Sequence, residues 1–303
     1  MKEMYAIEIN NLKKSFKGMY ALNGLNMRVP VGSIYGFIGE NGSGKSTTEK
    51  LICGLLVKDS GDIKLFGKDY TDPSVRVRVG ALIENAGCFP SSSIYMNLKM
   101  QALNLGIKDI DGEIDRVLKI VRMSEHKNLK FKKCSLGMKQ RVGIALSLLN
   151  NPLLLILDEP INGLDSDGMR IMREILVDIT KNLGTTVLIS SHVLGELEKI
   201  ATHYGIIKRG KMIKEIDASL MDDRFKTYII INTNDNIKAL ELLASRYKDV
   251  RIDGDLIYAY DIANKEELLK YLFDNDILIS YVKDNKVGLE EYYVELMRED
   301  NNE

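Results

Sequence analysis

Residues 39–46 read Gly-Glu-Asn-Gly-Ser-Gly-Lys-Ser, and no other stretch narrows the possible folds of this chain so sharply. The apolar run Ile34 to Ile38 precedes it and a helix-forming run follows. Glycines let the backbone curl so that several N–H groups point at one anion. The following helix turns its positive end toward the same anion. The spacing G-x-x-x-x-G-K-[ST], between a strand and a helix, is that of a phosphate-binding loop in an α/β sheet. Lys45 supplies a mobile charge for the terminal phosphates, and the Ser46 hydroxyl is placed to ligate Mg²⁺. Gly39, Asn41, Gly42, Ser43, Gly44 and Thr47 complete the expected nucleotide contacts.

Such a loop needs an acidic partner at the end of a neighbouring strand. Leu153 to Leu157 is a continuous apolar run, read as a strand buried on both faces, and it ends in Asp158-Glu159. Asp158 then reaches the Mg²⁺ shell. Glu159, one residue further, is a candidate general base or water positioner for attack on the terminal phosphate.

Elsewhere the apolar pattern alternates between strand and helix periods. Short strands are expected near residues 6–9, 22–27, 34–38, 61–67 and 79–83. Helices are expected over about 94–150, and strand–helix alternation over 153–216. This predicts a mostly parallel sheet with helices on both sides. From Thr227 the order becomes β-α-β-β-α-β with a final amphipathic helix, a split βαβ pattern. The expected domains are residues 1–216, with a helical part at about 85–150, and a small α+β domain over 217–303. The last residues, EDNNE, are expected to fray.

At 303 residues the chain is long enough for two domains. Its 42 Lys and Arg nearly balance 43 Asp and Glu, which argues against a nucleic-acid coat or a polybasic membrane anchor. No apolar run approaches the ~18–20 residues that span a bilayer, and the first residues lack a signal-peptide core. Any work at a membrane then requires another chain to hold this one there. Three cysteines without a CxxC pair suit a reducing cytosol, and three histidines without ligand spacing give no zinc site.

Many nucleotide hydrolases would fit this far. Cys134-Ser135-Leu136-Gly137-Met138-Lys139-Gln140-Arg141 narrows the field. It resembles the signature motif of ABC transporter ATPases, usually L-S-G-G-Q, in the variant form S-L-G-M-K-Q-R. The resemblance implies an ABC-type ATPase domain of the P-loop class, with a mostly parallel sheet core, an N-terminal antiparallel β part and a helical subdomain. It also implies a dimer in which Ser135 and Gly137 meet the terminal phosphate of ATP bound to a second subunit. Asp165 resembles the D-loop aspartate that links the two sites, and His192 the switch histidine that contacts the terminal phosphate and attacking water. Phe16 resembles the aromatic that stacks on adenine; the alternative is that Phe16 is core and Tyr20 the stacking ring. Where the family places a metal-shell Gln, this chain has Glu84, and a carboxylate there could still ligate Mg²⁺ through water.

Glu84 and the variant signature resemble the bacitracin- and lantibiotic-type exporters. The implied cofactors are ATP and Mg²⁺. The implied partners are a second copy of the ATPase and a polytopic permease, on the cytoplasmic face of the membrane, with no nucleic acid. The alternative is a soluble ABC-type ATPase acting on ribosomes or DNA. It fits less well: the chain has one cassette, and residues 47–134 lack sustained heptads.

Overall fold

The computed structural model describes residues 4–220, 227–260, 262, 264–286 and 288–299. The chain divides into two compact units, one up to Ala218 and one from Ser219 onward.

In the first unit, Ile34–Ile38 (β3) is buried along its whole length. It lies between His203–Lys208 (β9) and Thr186–Ser191 (β8), and Leu154–Asp158 (β7) and Val79–Leu82 (β6) follow. These five strands are parallel, and Lys211–Asp217 (β10) closes the β9 edge in antiparallel register. Parallel strands covered on both faces are apolar almost throughout, as β3 and β7 are; β8 is buried along its length too, but only its middle residues Val187, Leu188 and Ile189 are apolar.

Tyr5–Phe16 (β1) and Met19–Pro30 (β2) form a long hairpin, joined on the β1 side by Ser60–Leu65 (β4) and Lys68–Asp69 (β5) in a second, antiparallel sheet. These strands run well beyond the expected 6–9 and 22–27. Residues 10–16 carry few apolar side chains, so their alternation is weak in the sequence. Their pairing is instead secured by the turn at Lys17 (φ 49°) and Gly18 (φ 83°) and by cross-strand bonds. One apolar core joins the two sheets, with Ile7, Leu12, Leu25 and Ile63 packed in the same cluster as Phe37, Leu154, Ile156 and Leu188.

The helices of this unit are Lys45–Ile52 (α1), Pro73–Arg76 (α2), Ile94–Asn104 (α3), Ile110–Ile120 (α4), Leu136–Ser147 (α5), Ser166–Leu183 (α6) and Leu194–Leu197 (α7). Side-chain caps start α3 at Ser93, α4 at Asp109, α5 at Ser135 and α6 at Asp165, each accepting an otherwise orphan N–H. Helix α7 is a single turn.

In the second unit the order is Thr227–Thr233 (β11), Asn236–Arg246 (α8), Val250–Asp253 (β12), Leu256–Tyr260 (β13), Lys265–Asp274 (α9), Ile279–Lys286 (β14) and Leu289–Glu299 (α10). The sheet runs β12-β13-β11-β14, antiparallel throughout. Its own core gathers Ile231, Leu243, Ile257, Ala259, Leu268 and Leu272. Of the residues expected to fray, Glu299 ends α10 and 300–303 lie outside the described residues. Among the described residues no helix is long and apolar enough to cross a membrane.

Candidate nucleotide-binding and hydrolytic site

Strand β3 delivers the loop 39–44 to the N-terminus of α1. Two of its glycines are required by the surrounding packing. A Cβ at Gly39 would collide with the Ile207 carbonyl and Ser43 Oγ, and one at Gly44 (φ 115°) with Leu22 and the Ala21 carbonyl. The loop therefore lies against β9 and the hairpin, which holds its N–H groups in place. The buried Lys45 donates from Nζ to the Gly39 carbonyl (2.6 Å) and the Glu40 carbonyl (3.2 Å). Ser43 Oγ is buried without a protein partner, as expected of a hydroxyl meant for a ligand oxygen.

A cleft of about 350 Å³ opens over this loop. It is lined by Asn41, Gly42, Gly44, Lys45, Ser46 and Thr47, and on its far side by Asp158, Glu159 and His192. The motifs read from the sequence thus converge on one space. Sequence reasoning missed Ala21 and Asn162, which also line it and belong to no motif.

The acidic side is held by β8. Ser190 Oγ donates to Asp158 Oδ1 (2.9 Å), while the Glu159 N–H points at the Ser190 carbonyl and hydroxyl (both 3.2 Å). Glu159 sits at φ 49°, a sparsely populated conformation for a non-glycine residue, stabilised by those contacts. His192 Nδ1 lies 2.5 Å from Glu159 Oε2. Ser46 and Asp158 bring a hydroxyl and a carboxylate into the same cleft. Such a hard-oxygen pair suits a Mg²⁺ that keeps water and phosphate ligands.

The remaining residues lie elsewhere. Ser135 caps α5 by accepting from the Met138 N–H (3.3 Å), and Asp165 caps α6 by accepting from the Gly168 N–H (2.8 Å). A Cβ at Gly137 would meet only Leu164, at 3.6 Å, so this chain's own packing does not demand glycine there. That contact also sets the start of α5 beside the loop that leads to Asp165. None of these three residues lines the cleft of their own chain.

Glu84 departs from expectation. Strand β6 ends at Leu82, and Glu84 (φ 62°) turns its side chain to Lys50 of α1, at 2.6 Å, rather than into the cleft. The ammonium of Lys50 supplies the countercharge for the Glu84 carboxylate. Phe16 is 44% exposed, so the fold does not use it as core. Lys14 Nζ stands 5.2 Å from its ring centroid, and Tyr20 is also exposed.

Fold and cleft together define an ATP-binding cassette of the P-loop class. Residues 22–162 match the family model for ABC transporters. The chain is 35% identical over 298 residues to the bacitracin transport ATP-binding protein BcrA of Enterococcus faecalis, covering 97% of this chain and 96% of that one. It is 43% identical over 215 residues to the lantibiotic transport ATP-binding protein SrtF of Streptococcus pyogenes, covering 70% and 92%. Among solved structures, CbiO1 of Clostridium perfringens, part of an ABC transporter complex, superposes with a TM-score of 0.67 at 29% identity, covering 73% of this chain and 92% of that one. A dimeric ATP-binding cassette holding ADP and phosphate gives a TM-score of 0.64 at 22% identity, over 70% and 98%, and speaks for the fold. The chain belongs to the ABC transporter family, as an ATP-binding and ATP-hydrolysing subunit.

Proposed function

We propose that this subunit drives export of a bacitracin- or lantibiotic-like antimicrobial peptide or a similar drug through a separate membrane permease. The observation that carries this reading is the full-length similarity to BcrA, which extends through the C-terminal unit as well as the cassette.

In this reading ATP lies along the loop 39–47, with Lys45 and the α1 N-terminus neutralising its phosphates. Ser46 and Asp158 would hold Mg²⁺, which supplies charge stabilisation on the phosphates when bound. Glu159 accepts the proton of the attacking water or orients it, and His192 fixes the Glu159 carboxylate. A carboxylate partner selects the Nδ1–H form of the imidazole, leaving Nε2 free to accept a hydrogen bond from the attacking water. The chemistry is phosphoryl transfer to water, carried by positioning and electrostatics.

Ser135, Gly137 and Asp165 stand apart from their own cleft, and this favours a second copy whose nucleotide they meet. A groove of about 470 Å³ beside the Glu84 loop, lined by Leu82, Asn85, Phe89, Met100 and Leu105 among others, is the surface we assign to the permease. Phe89 is 61% exposed there, an apolar ring without cover in this chain. The working place is the cytoplasmic face of the membrane.

The test is to tag the chain in its native cell, solubilise the membranes in mild detergent and identify what co-purifies. A polytopic membrane protein is the expected result. Recovery with ribosomes or DNA, or with nothing, would overturn the transport reading and leave the ATPase chemistry standing.

A further inference from the structure

Helix α4 ends in a turn of the kind that glycine normally makes. The Met123 N–H bonds back to the Leu118 carbonyl (2.8 Å) and the Arg122 N–H to the Lys119 carbonyl (3.2 Å), with Arg122 at φ 57°. This is a Schellman ending, whose left-handed position is usually glycine and sometimes asparagine. Val121 and Met123, on either side, are fully buried, so the turn is anchored in the core. The chain holds an arginine where the backbone alone favours glycine.

That arginine joins two helices. Its guanidinium reaches α6: Nη1 donates to Glu174 Oε2 (2.5 Å), and Nη2 lies 3.6 Å from Asp178 Oδ2. Glu174 also accepts from Arg170 Nη1 (2.8 Å), and Arg170 Nη2 donates to Asp167 Oδ1 (2.6 Å), two residues past Asp165. In the other direction, the Arg122 carbonyl accepts from Arg141 Nη1 (3.2 Å) on α5, the helix that Ser135 caps. The starts of α5 and α6 meet separately, where Leu136 lies against Gly163 and Leu164 against Gly137. One contact between two helices leaves a pivot, and a second one farther along fixes their angle. The side chains of Arg122, Glu174 and Asp178 are 43%, 41% and 52% exposed. Exposed pairs add little to stability, and what they do add comes from geometry and from acting as a network.

We propose that Arg122 is a positioning residue for the working dimer. It sets the angle between α5 and α6, and so holds Ser135 and Gly137 at the spacing from Asp165 that a second copy's nucleotide requires. The proposal rests on the reading that these three residues meet the partner's nucleotide. Without the link, the two helix starts must be aligned as the dimer forms. The loss then falls on association, not on ATP binding by the monomer or on chemistry in the formed dimer.

The full chain is compared as wild type, Arg122→Gly, Arg122→Lys, Glu174→Ala, the Arg122→Gly/Glu174→Ala double variant and Gly137→Ala. The readouts are Tm, binding of a fluorescent ATP analogue by dilute protein, ATP hydrolysis over a series of protein concentrations, and ATP-driven dimerisation by size exclusion in a Glu159→Gln background. Arg122→Gly is expected to keep the wild-type Tm, because glycine suits the turn, and to bind the analogue as wild type does. It is expected to need about fivefold or more protein for half-dimerisation. Its turnover should fall in dilute solution and recover as the protein concentration rises. Arg122→Lys, which keeps the charge, should lie between wild type and Arg122→Gly. Glu174→Ala should show the Arg122→Gly defect, with the double variant no worse than either single one.

Wild-type dimerisation by Arg122→Gly would overturn the proposal. A turnover defect that excess protein does not restore, or weaker ATP binding with a lower Tm, would overturn it in favour of a general structural role. Additive losses in the double variant, or an Arg122→Lys protein no better than Arg122→Gly, would also overturn it. A fully active Gly137→Ala would instead remove the underlying reading of the partner contact. Should Arg122→Gly fail to fold, Glu174→Ala with Asp178→Ala breaks the same link from the α6 side, and wild-type dimerisation there would overturn the proposal equally.

Discussion

The imidazole of His192 reaches Glu159 directly, Nδ1 to Oε2, at 2.5 Å. The two residues come from different strand ends, Glu159 following β7 and His192 following β8, and those strands pair in parallel with Asp158 opposite Ser190. Register, not sequence proximity, puts this carboxylate and the histidine together. The main-chain N–H of Glu159 is tied to Ser190 as well, so β8 positions the carboxylate from two directions.

Glu159→Gln therefore keeps a side chain of the same size and loses the proton acceptor. ATP binding is expected to survive while turnover falls by about 10²–10⁴. ATP should also hold the dimer together, visible as a larger species in size exclusion. Wild-type phosphate release would remove Glu159 as the base.

Lys45→Ala removes the charge that the loop carbonyls of Gly39 and Glu40 hold in place. The loss is expected in nucleotide affinity, measured by titration with a fluorescent ATP analogue. Unchanged affinity would break the phosphate-loop assignment.

Gly137→Ala separates fold from assembly. The added methyl meets only Leu164 within its own chain, at 3.6 Å, and alanine in a helix is better than glycine by about 1 kcal/mol. The variant is expected to melt no lower than wild type and to bind ATP as a monomer, yet to lose ATP-driven dimerisation and turnover together. A fully active variant would show that no partner phosphate approaches this position.

Asp59 reports on the hairpin at acid pH. Its carboxylate accepts from Ser15 Oγ (2.6 Å), Lys14 Nζ (2.9 Å) and the Ser15 N–H (2.7 Å), fastening the end of β1. Those bonds, the Ser15 hydroxyl first, hold its carboxyl down at about 2. The folded form thus binds its proton later than the unfolded chain, which takes it up near pH ~4. The stabilisation is complete above that unfolded value and lost as pH falls toward about 2. Wild type should melt above Asp59→Asn at neutral pH, with the gap closing between those two values. A gap that stays constant down to pH ~2 would show that charge has no part in it.

How much of this was written in the sequence depends on distance along the chain. The phosphate loop, Asp158-Glu159 and His192 were legible because each motif sits at the end of an apolar strand, and parallel pairing gathers strand ends at one edge. The split βαβ order of the C-terminal unit was legible because periods of two and of three to four residues alternate cleanly there. Glu84 was misplaced because its partner, Lys50, lies 34 residues away and belongs to no motif. The full hairpin was missed because residues 10–16 are mostly polar, and polar strands leave little periodic trace. Glu49 stands just after the most recognisable motif of the chain, and only burial shows that an acid there is out of place.

That acid also bears on redesign. A procedure that ranks sequences by the energy of the folded state alone would write leucine or methionine at position 49, because a buried carboxyl with two unpartnered oxygens scores badly by every such measure. A library screened by melting alone would discard the native residue first.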